Sequence, residues 1–381
     1  SKPSRGLVSL ILQDAGHLQE EQARYAAKKG YSRHAEPRPL YTAMDARRTL
    51  KLLKTLPFDQ ATEILPGIRV RFRRAGHLLG AASLEIQAKG SDGQRRSWCF
   101  SGDVGRYDVP IIKDPEPALD PPAALVLEST YGDRHHQQSD PERRFREVIQ
   151  RVFQRGGTVI IPAFALGRTQ EVLYHLSELA NDGELDPDVV FLDSPMAIKA
   201  TDLYDQATAE HDEDLLELVE QHLDPLAPDR FQRCLSSEQS KALNKRTEPA
   251  VIVAASGMAT GGRVVHHLKH RLADARNAVV FVGYQAGGTR GRALVDGAET
   301  VSIHGQPVPV EAEILSLHGL SAHADQAELV RWFGDLPAVP GQVFLNHGED
   351  QSRKALAAVL GSGDASRPRP QLPANGDAFR W

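Results

Sequence analysis

The stretch Arg74-Ala-Gly-His-Leu-Leu-Gly-Ala-Ala-Ser83 places a histidine in a glycine turn between two segments of alternating hydrophobicity. Residues 68–75 alternate apolar side chains with arginines before the turn, and residues 82–88 alternate again after it. A period of two predicts half-buried strands on both sides. Because rigid sheets place functional groups in the loops at strand ends, His77 is a candidate functional residue.

The composition indicates an ordinary globular protein. The chain has 381 residues, of which 41% are hydrophobic and 25% charged, which predicts one large or two medium domains. Its two cysteines are too few for a disulfide framework, which favours a reducing, cytoplasmic location. Residues 1–16 lack the pattern of a signal peptide, and no apolar run approaches the length of a membrane span. With a net charge of −5, the chain would need local basic patches to bind nucleic acid.

The pattern of predicted elements changes along the chain. A helix is predicted at 19–30, ended by Gly30, followed by strands at 68–75, 82–88, 97–101 and 123–128. From Asp140, an N-cap candidate, helices at 140–157, 169–181, 197–207 and 262–273 alternate with apolar strands at 158–163, 189–194, 250–256 and 278–284. Continuous apolar strands that alternate with helices indicate a parallel sheet.

Five residues share one setting, because each lies in a polar or glycine-containing loop beside a predicted strand or helix. They are His77, Asp103, Glu128, His323 and His347. Imidazole nitrogens and carboxylate oxygens are donors that zinc accepts, so together they suggest a zinc site. Taken singly, each could equally be a solvated or turn-capping group.

The chain also carries a series of short motifs, in this order: GHLLGAAS, SGDVGR, LESTYGDR, IPAFALGRTQEVL, DSPMA, AASGM, GYQAGGTRGR, LSAHAD and NHGE. Their order and wording resemble the β-CASP branch of the metallo-β-lactamase superfamily, from about Asp14 to Glu349. That branch includes bacterial and archaeal ribonucleases and the endonuclease subunit of the eukaryotic cleavage and polyadenylation machinery.

The resemblance implies an α/β fold: a metallo-β-lactamase-like αββα sandwich, with its N-terminal part missing, and an inserted β-CASP α/β domain on a mostly parallel sheet. Residues 1–133 and 319–381 would form the discontinuous sandwich, and residues 134–318 would form the insert. The substrate cleft would lie between the two.

The resemblance also implies a chemistry. Two zinc ions would share a bridging hydroxide, which attacks the phosphorus of an RNA phosphodiester and leaves a 5′-phosphate. His77 would bind one zinc ion, His347 the other, and Asp103 would bridge them. His323 matches the family's general acid, and Glu128 matches the acid that orients it and favours its protonated form.

Substrate contacts are implied in the insert. Ser256 and Gly257 lie in a turn between a predicted strand and helix, where backbone amides can receive phosphate oxygens or simply form the turn. Arg168, Arg290 and Arg292 are candidate phosphate partners. The expected partner is RNA, most readily single-stranded, with a homo-oligomer also compatible with the sequence.

One motif of the family, HxHxDH, does not occur in this sequence. It would supply two ligands to each zinc ion, so the three ligands present should bind zinc poorly alone. We expect the sequence to be a fragment of a longer protein, and the alternative is a natural degenerate relative. The leading functional hypothesis is therefore a β-CASP ribonuclease. The alternatives are a catalytically silent RNA-binding or scaffold protein, and a hydrolase of DNA or of a small phosphoester or ester.

Overall fold

The computed structural model describes residues 1–30, 34, 36–90, 92–136, 140–221, 223–226, 231–317, 320–362 and 368–379. Helix α1 spans Lys2–Lys29 and ends at Gly30, as predicted. The prediction that it begins at residue 19 is wrong. The Ser1 side chain accepts a hydrogen bond from the Ser4 amide and starts the helix there, and Leu7 packs into a buried apolar cluster with Leu203.

The remaining elements follow in chain order. The first part contains α2 (Ala43–Leu50), β1 (Thr62–Leu65), β2 (Ile68–Arg74), β3 (Ala82–Lys89), β4 (Arg95–Phe100) and β5 (Ala124–Glu128). The next contains α3 (Pro141–Gln154), β6 (Thr158–Pro162), α4 (Arg168–Asn181), β7 (Val190–Leu192), α5 (Pro195–Asp205), α6 (Glu213–Glu220), β8 (Gln232–Arg233), α7 (Ser237–Asn244), β9 (Ala250–Ala254), α8 (Arg263–Arg271) and β10 (Ala278–Phe281). The last contains α9 (Arg290–Val295), β11 (Thr300–Ile303), β12 (Gln306–Pro309), β13 (Glu313–Ser316), α10 (Gln326–Gly334), β14 (Gln342–Asn346) and α11 (Asp350–Gly361).

The first sheet has the order β1-β2-β3-β4-β5-β14. Strands β1 to β4 form antiparallel pairs, whereas β5 runs parallel to both β4 and β14. Helices α10 and α11 pack on this sheet around the fully buried Trp332. As a result, β2, β4, β5 and β14 all end at the same edge, and this edge carries the loops of interest.

The second sheet has the order β13-β10-β6-β9-β7-β8, and every neighbouring pair is parallel. Strands β6 and β9 are buried along their whole length, between apolar clusters on the two faces of the sheet. Every strand predicted above is present, with ends shifted by a few residues. The predicted α/β class and the mostly parallel sheet are confirmed.

A hydrogen bond links the loop between β2 and β3 to helix α5. The Leu79 amide donates to the Tyr204 hydroxyl at 3.1 Å. The predicted boundary at 318/319 falls outside the described residues, and the domain limits stay a prediction. Within the part of the chain that the structure describes, every helix lacks the length or the apolar character that a membrane crossing would require.

A buried polar cluster lies at the end of β7. Asp193 accepts hydrogen bonds from Ser240 Oγ, His267 Nε2 and Arg263 Nη1, each at 2.6 Å. The Asp193 and His267 side chains are fully buried. These bonds tie β7 to α7 and α8, so the cluster holds one side of the second sheet together.

Replacing Asp193 by alanine should lower the free energy of unfolding by about 3–5 kcal/mol near neutral pH, because its buried donors lose their partner. Burial alone would raise the pKa of Asp193, but hydrogen bonds from His267, Ser240 and Arg263 outweigh it and hold the pKa below its usual value. A carboxyl with a lowered folded-state pKa stabilises the protein above its unfolded pKa and loses that effect as the pH falls.

Urea denaturation of the wild type and Asp193→Ala should therefore show a difference that shrinks below about pH 4. Asp205→Ala, at an exposed site, is the control and should change stability by less than about 0.5 kcal/mol. A difference for Asp193→Ala that stays constant from neutral to acidic pH would contradict the assignment.

Candidate metal centre

The five candidate residues gather at one edge of the first sheet. Glu128 ends β5 and pairs in register with Asn346, the last residue of β14, which His347 follows. Asp103 lies just beyond β4, and His77 just beyond β2. Since these strands run in the same direction, their final loops converge.

Asp103 lies between two imidazoles. Its Oδ2 is 3.9 Å from His77 Nε2, and its Oδ1 is 3.3 Å from His347 Nδ1. The Asp103 carboxylate therefore has one imidazole beside each of its oxygens.

The Asp103 and His77 loops are in direct backbone contact. The Gly105 amide donates a hydrogen bond to the Ala75 carbonyl at 2.6 Å. A Cβ atom at Gly105 would lie 1.9 Å from the Gly76 carbonyl oxygen, so only glycine fits there. Gly76 has a φ of 66°, in the left-handed region. The glycine turn around His77 therefore serves both the chain reversal and the close approach of the Asp103 loop.

Glu128 and His323 form a buried hydrogen-bonded pair. The Glu128 side chain is 1% exposed, and its Oε1 lies 3.0 Å from His323 Nδ1. The amides of Val104 and Thr130 donate to its two oxygens, each at 2.9 Å. Burial alone would raise the pKa of Glu128, but the hydrogen bonds from His323 and Thr130 outweigh it and lower the pKa. The ionised carboxylate can only accept, so His323 Nδ1 carries a proton and Nε2 is directed elsewhere.

His77 is held in the form that binds metals. Its side chain is 13% exposed, and its Nδ1 atom is buried without a hydrogen-bond partner. Burial, and then the neighbouring His323, lower the pKa of His77 to about 4. His77 is therefore neutral near pH 7, as a metal ligand must be.

Thr130 orients His347. Its hydroxyl donates to the His347 carbonyl at 3.0 Å and lies 3.2 Å from His347 Nδ1. Thr130 therefore contacts both the backbone and the ring of His347 and fixes the position of its imidazole.

Sequence reasoning missed Thr130 and His136 as supports of the centre. His136 Nε2 lies 2.9 Å from the His323 carbonyl, and the His136 amide donates to Asp325 Oδ2 at 2.8 Å. In the sequence, His136 lies in the polar stretch 133–139, which carries no signal of this role. Thr130 is part of the LESTYGDR motif, and its place directly after Glu128 and Ser129 was the only available signal.

The donor types at this centre fit a pair of divalent ions, but the donor number is low. Among the described residues, His77, Asp103 and His323 form one cluster of close ligand atoms, and Glu128, His323 and His347 form another. If His323 and Glu128 act as the acid pair, only His77, Asp103 and His347 would remain to hold metal. Zinc sites normally have three or four protein ligands. A complete site therefore needs further donors.

The predicted substrate residues lie in the second sheet's loops. Ser256 Oγ accepts hydrogen bonds from the amides of Thr260 and Gly261, at 3.2 and 3.4 Å. Those two amides are therefore engaged within the turn. Gly257 packs against Phe164, where a Cβ atom would lie 2.9 Å from the ring. A substrate role for Ser256 and Gly257 stays a prediction.

The three predicted arginines already have protein partners. Arg168 is buried and pairs with Glu171. Arg290 Nε donates to the Ser302 carbonyl at 3.0 Å. Arg292 is about half exposed and forms an ion pair with Asp296, which makes it the most accessible of the three to an external phosphate.

Family models match two parts of the chain. Residues 169–294 match the Beta-Casp domain, and residues 307–364 match the Zn-dependent metallo-hydrolase RNA specificity domain. The second match supports a metal cofactor.

Individual relatives match most of the chain. Ribonuclease TTHA0252 of Thermus thermophilus is 35% identical over 93% of this chain and 75% of its own length. An RNase J-like protein of Methanocaldococcus jannaschii is 30% identical over 84% of this chain and 73% of its own length. The transcription termination factor FttA of Pyrococcus abyssi is 30% identical over 94% of this chain, which spans 54% of that factor. The chain thus belongs to the β-CASP family of metallo-hydrolases, in the metallo-β-lactamase superfamily.

Proposed function

We propose that the protein is a zinc-dependent hydrolase that cleaves phosphodiester bonds of single-stranded RNA and leaves a 5′-phosphate. The observation that carries the proposal is the Glu128–His323 pair beside Asp103, a carboxylate with an imidazole near each oxygen. The 35% identity to a protein named as a ribonuclease supports RNA as the substrate class.

His77, Asp103 and His347 would hold the metal. When bound, zinc would supply an activated water as the nucleophile and would neutralise charge on the phosphate. We also propose a cytoplasmic location, because the two cysteines are unpaired and buried and form no disulfide framework.

His323 would act as the general acid. Its Nδ1 donates a hydrogen bond to the buried Glu128 carboxylate, which fixes the orientation of the ring. The Nε2–H of that ring would donate its proton to the leaving oxygen of the RNA chain. Glu128 would not leave its position during this transfer, because two backbone amides also hold it.

Replacing His323 by alanine in the full-length protein should lower RNA cleavage by about 10²–10⁴-fold, because the leaving oxygen would depart without a positioned proton. Metal content should stay at the wild-type level. The assay is cleavage of an end-labelled single-stranded RNA with analysis of the product's 5′ end, together with elemental analysis of the protein.

The exposed His17 of α1 provides a control, since His17→Ala should cleave at the wild-type rate. Cleavage by His323→Ala at that same rate would remove the acid assignment. A parallel loss of metal would instead make His323 a ligand.

A second candidate function has one observation in its favour. Each ion would receive only two protein donors from the described residues, as a catalytically silent RNA-binding or scaffold relative would show. A full-length protein that binds RNA but holds no stoichiometric zinc and does not cleave it would establish this alternative.

A further inference from the structure

A third cluster of side chains that can bind metal ions lies between α3 and α4. Neither helix supplies a residue of the metal centre described above. Glu142 is in the first turn of α3. His175 and Glu178 lie one turn apart on α4. The ligand atoms of these three residues are all within 4.8 Å of one another.

His175 lies too far from both acids for a direct hydrogen bond. His175 Nδ1 is 3.8 Å from Glu142 Oε1 and 3.7 Å from Glu178 Oε2. The His175 side chain is only 7% exposed. Its Nδ1 and the Oε2 of Glu178 are nevertheless buried without a hydrogen-bond partner. Unpartnered buried polar atoms are costly, so a group that satisfies both is expected between them.

The separations suit a small cation at the centre of the cluster. Donors that bind one ion at about 2.0–2.2 Å lie roughly 3–3.5 Å from one another. His175 Nδ1 would therefore need to approach each acid by only a few tenths of an ångström. The nearby arginines are already paired, Arg146 with Glu184 and Arg168 with Glu171, so neither occupies the position.

We propose that Glu142, His175 and Glu178 bind one divalent transition-metal ion of the zinc or manganese class. One imidazole with two carboxylates selects such ions over calcium and magnesium, which prefer oxygen donors alone. The ion would join the start of α3 to the middle of α4. Both helices pack on the second sheet through residues such as Phe145 and Leu176, so the ion would stabilise that sheet's helical layer.

The competing occupant is a proton. Burial by itself would lower the pKa of His175, but the neighbouring Glu142 and Glu178 outweigh burial and raise the pKa to about 9. A protonated His175 between two acids would leave the cluster with no need of a metal. A metal ion in this cluster would add one to the number of ions that each chain binds, whereas a protonated His175 would add none.

The test is titration of metal-free, full-length protein with ZnCl2 or MnCl2 alone, followed by calorimetry, elemental analysis and thermal melting. Glu178→Gln keeps the size of the side chain and removes one ligand. We expect it to bind one ion fewer per chain, or to bind that ion at least roughly tenfold more weakly. The metal-induced rise in Tm should shrink as well. His175→Gln should behave in the same way.

Glu147→Gln is the matched control, because Glu147 lies on the same α3 helix, is about half exposed and pairs with Arg143. It should keep the wild-type ion count. Equal ion counts and affinities in the wild type, Glu178→Gln and His175→Gln would overturn the proposal and establish the protonated cluster. The metal-free melting curve of Glu178→Gln shows whether the variant is folded. RNA cleavage is not needed for any of these readings.

Discussion

Replacing Asp103 by asparagine should deplete the protein of metal and reduce RNA cleavage to the background of the assay. Asp103 is the carboxylate that faces both His77 and His347. Asparagine keeps the shape of the side chain but has only one side-chain oxygen and no charge. One of the two imidazoles would therefore lie beside an NH2 group, which cannot bind a metal ion. If Asp103 binds both ions, the variant should lose both. If Asp103 binds only one ion, the variant should lose one. Elemental analysis of the full-length variant, beside the cleavage assay, separates these results.

Asp108→Asn offers a matched control for that experiment. Asp108 follows in the same loop region, and its side chain is 89% exposed. The control should keep both the metal content and the cleavage rate. If Asp103→Asn also keeps its metal and cleaves RNA at the wild-type rate, Asp103 is neither a bridge nor a ligand, and the proposed centre is wrong.

A methyl group at Gly105 should destabilise the protein by about 3 kcal/mol or more. Its Cβ atom would lie 1.9 Å from the Gly76 oxygen, 2.0 Å from the Gly76 carbonyl carbon and 2.6 Å from the His77 nitrogen. All three are backbone atoms, so no side chain can rotate away to relieve the contact. Separation of the two loops would also move Asp103 away from His77 and weaken metal binding.

Chemical denaturation of metal-free protein measures the stability effect without the contribution of bound ions. Gly287→Ala is the control, because a Cβ atom at Gly287 would meet nothing within 4 Å. We expect this control to stay within about 0.5 kcal/mol of the wild type. A Gly105→Ala variant as stable as Gly287→Ala would show that the loops are not packed as described.

The eight predicted strands and four of the five predicted helices followed from local patterns, because alternation and capping residues report on the immediate surroundings of each element. Asp140 caps α3 as predicted, with its side chain accepting from the Arg143 amide at 2.9 Å. The start of α1 was missed although a local signal, the Ser1 cap, was present. The packing of Leu7 into the apolar cluster that includes Leu203 depends on long-range contacts and could not be predicted from the sequence.

Convergence of the candidate site could not be derived from spacing. His77 and His347 are separated by most of the chain, and only the shared direction of β2 and β14 brings their loops to one edge. The family resemblance supplied that grouping.

The supports of Glu128 could not be predicted for another reason. The amides of Val104 and Thr130 carry no sequence signature, and their direction depends on the backbone alone. Burial of Arg168 was equally invisible, since its glutamate partner lies one turn away on a helix that could have faced solvent.

The three donors around Glu128 have a consequence for the energy of turnover. Two of them are peptide N–H groups fixed by the loops after β4 and β5, so their dipoles point at the carboxylate before any substrate arrives. Water around an exposed acid would have to reorient each time the charge on the neighbouring imidazole changed. If His323 is the general acid, as proposed, this reorganisation would be completed once, during folding, and each catalytic cycle would begin with the field already in place.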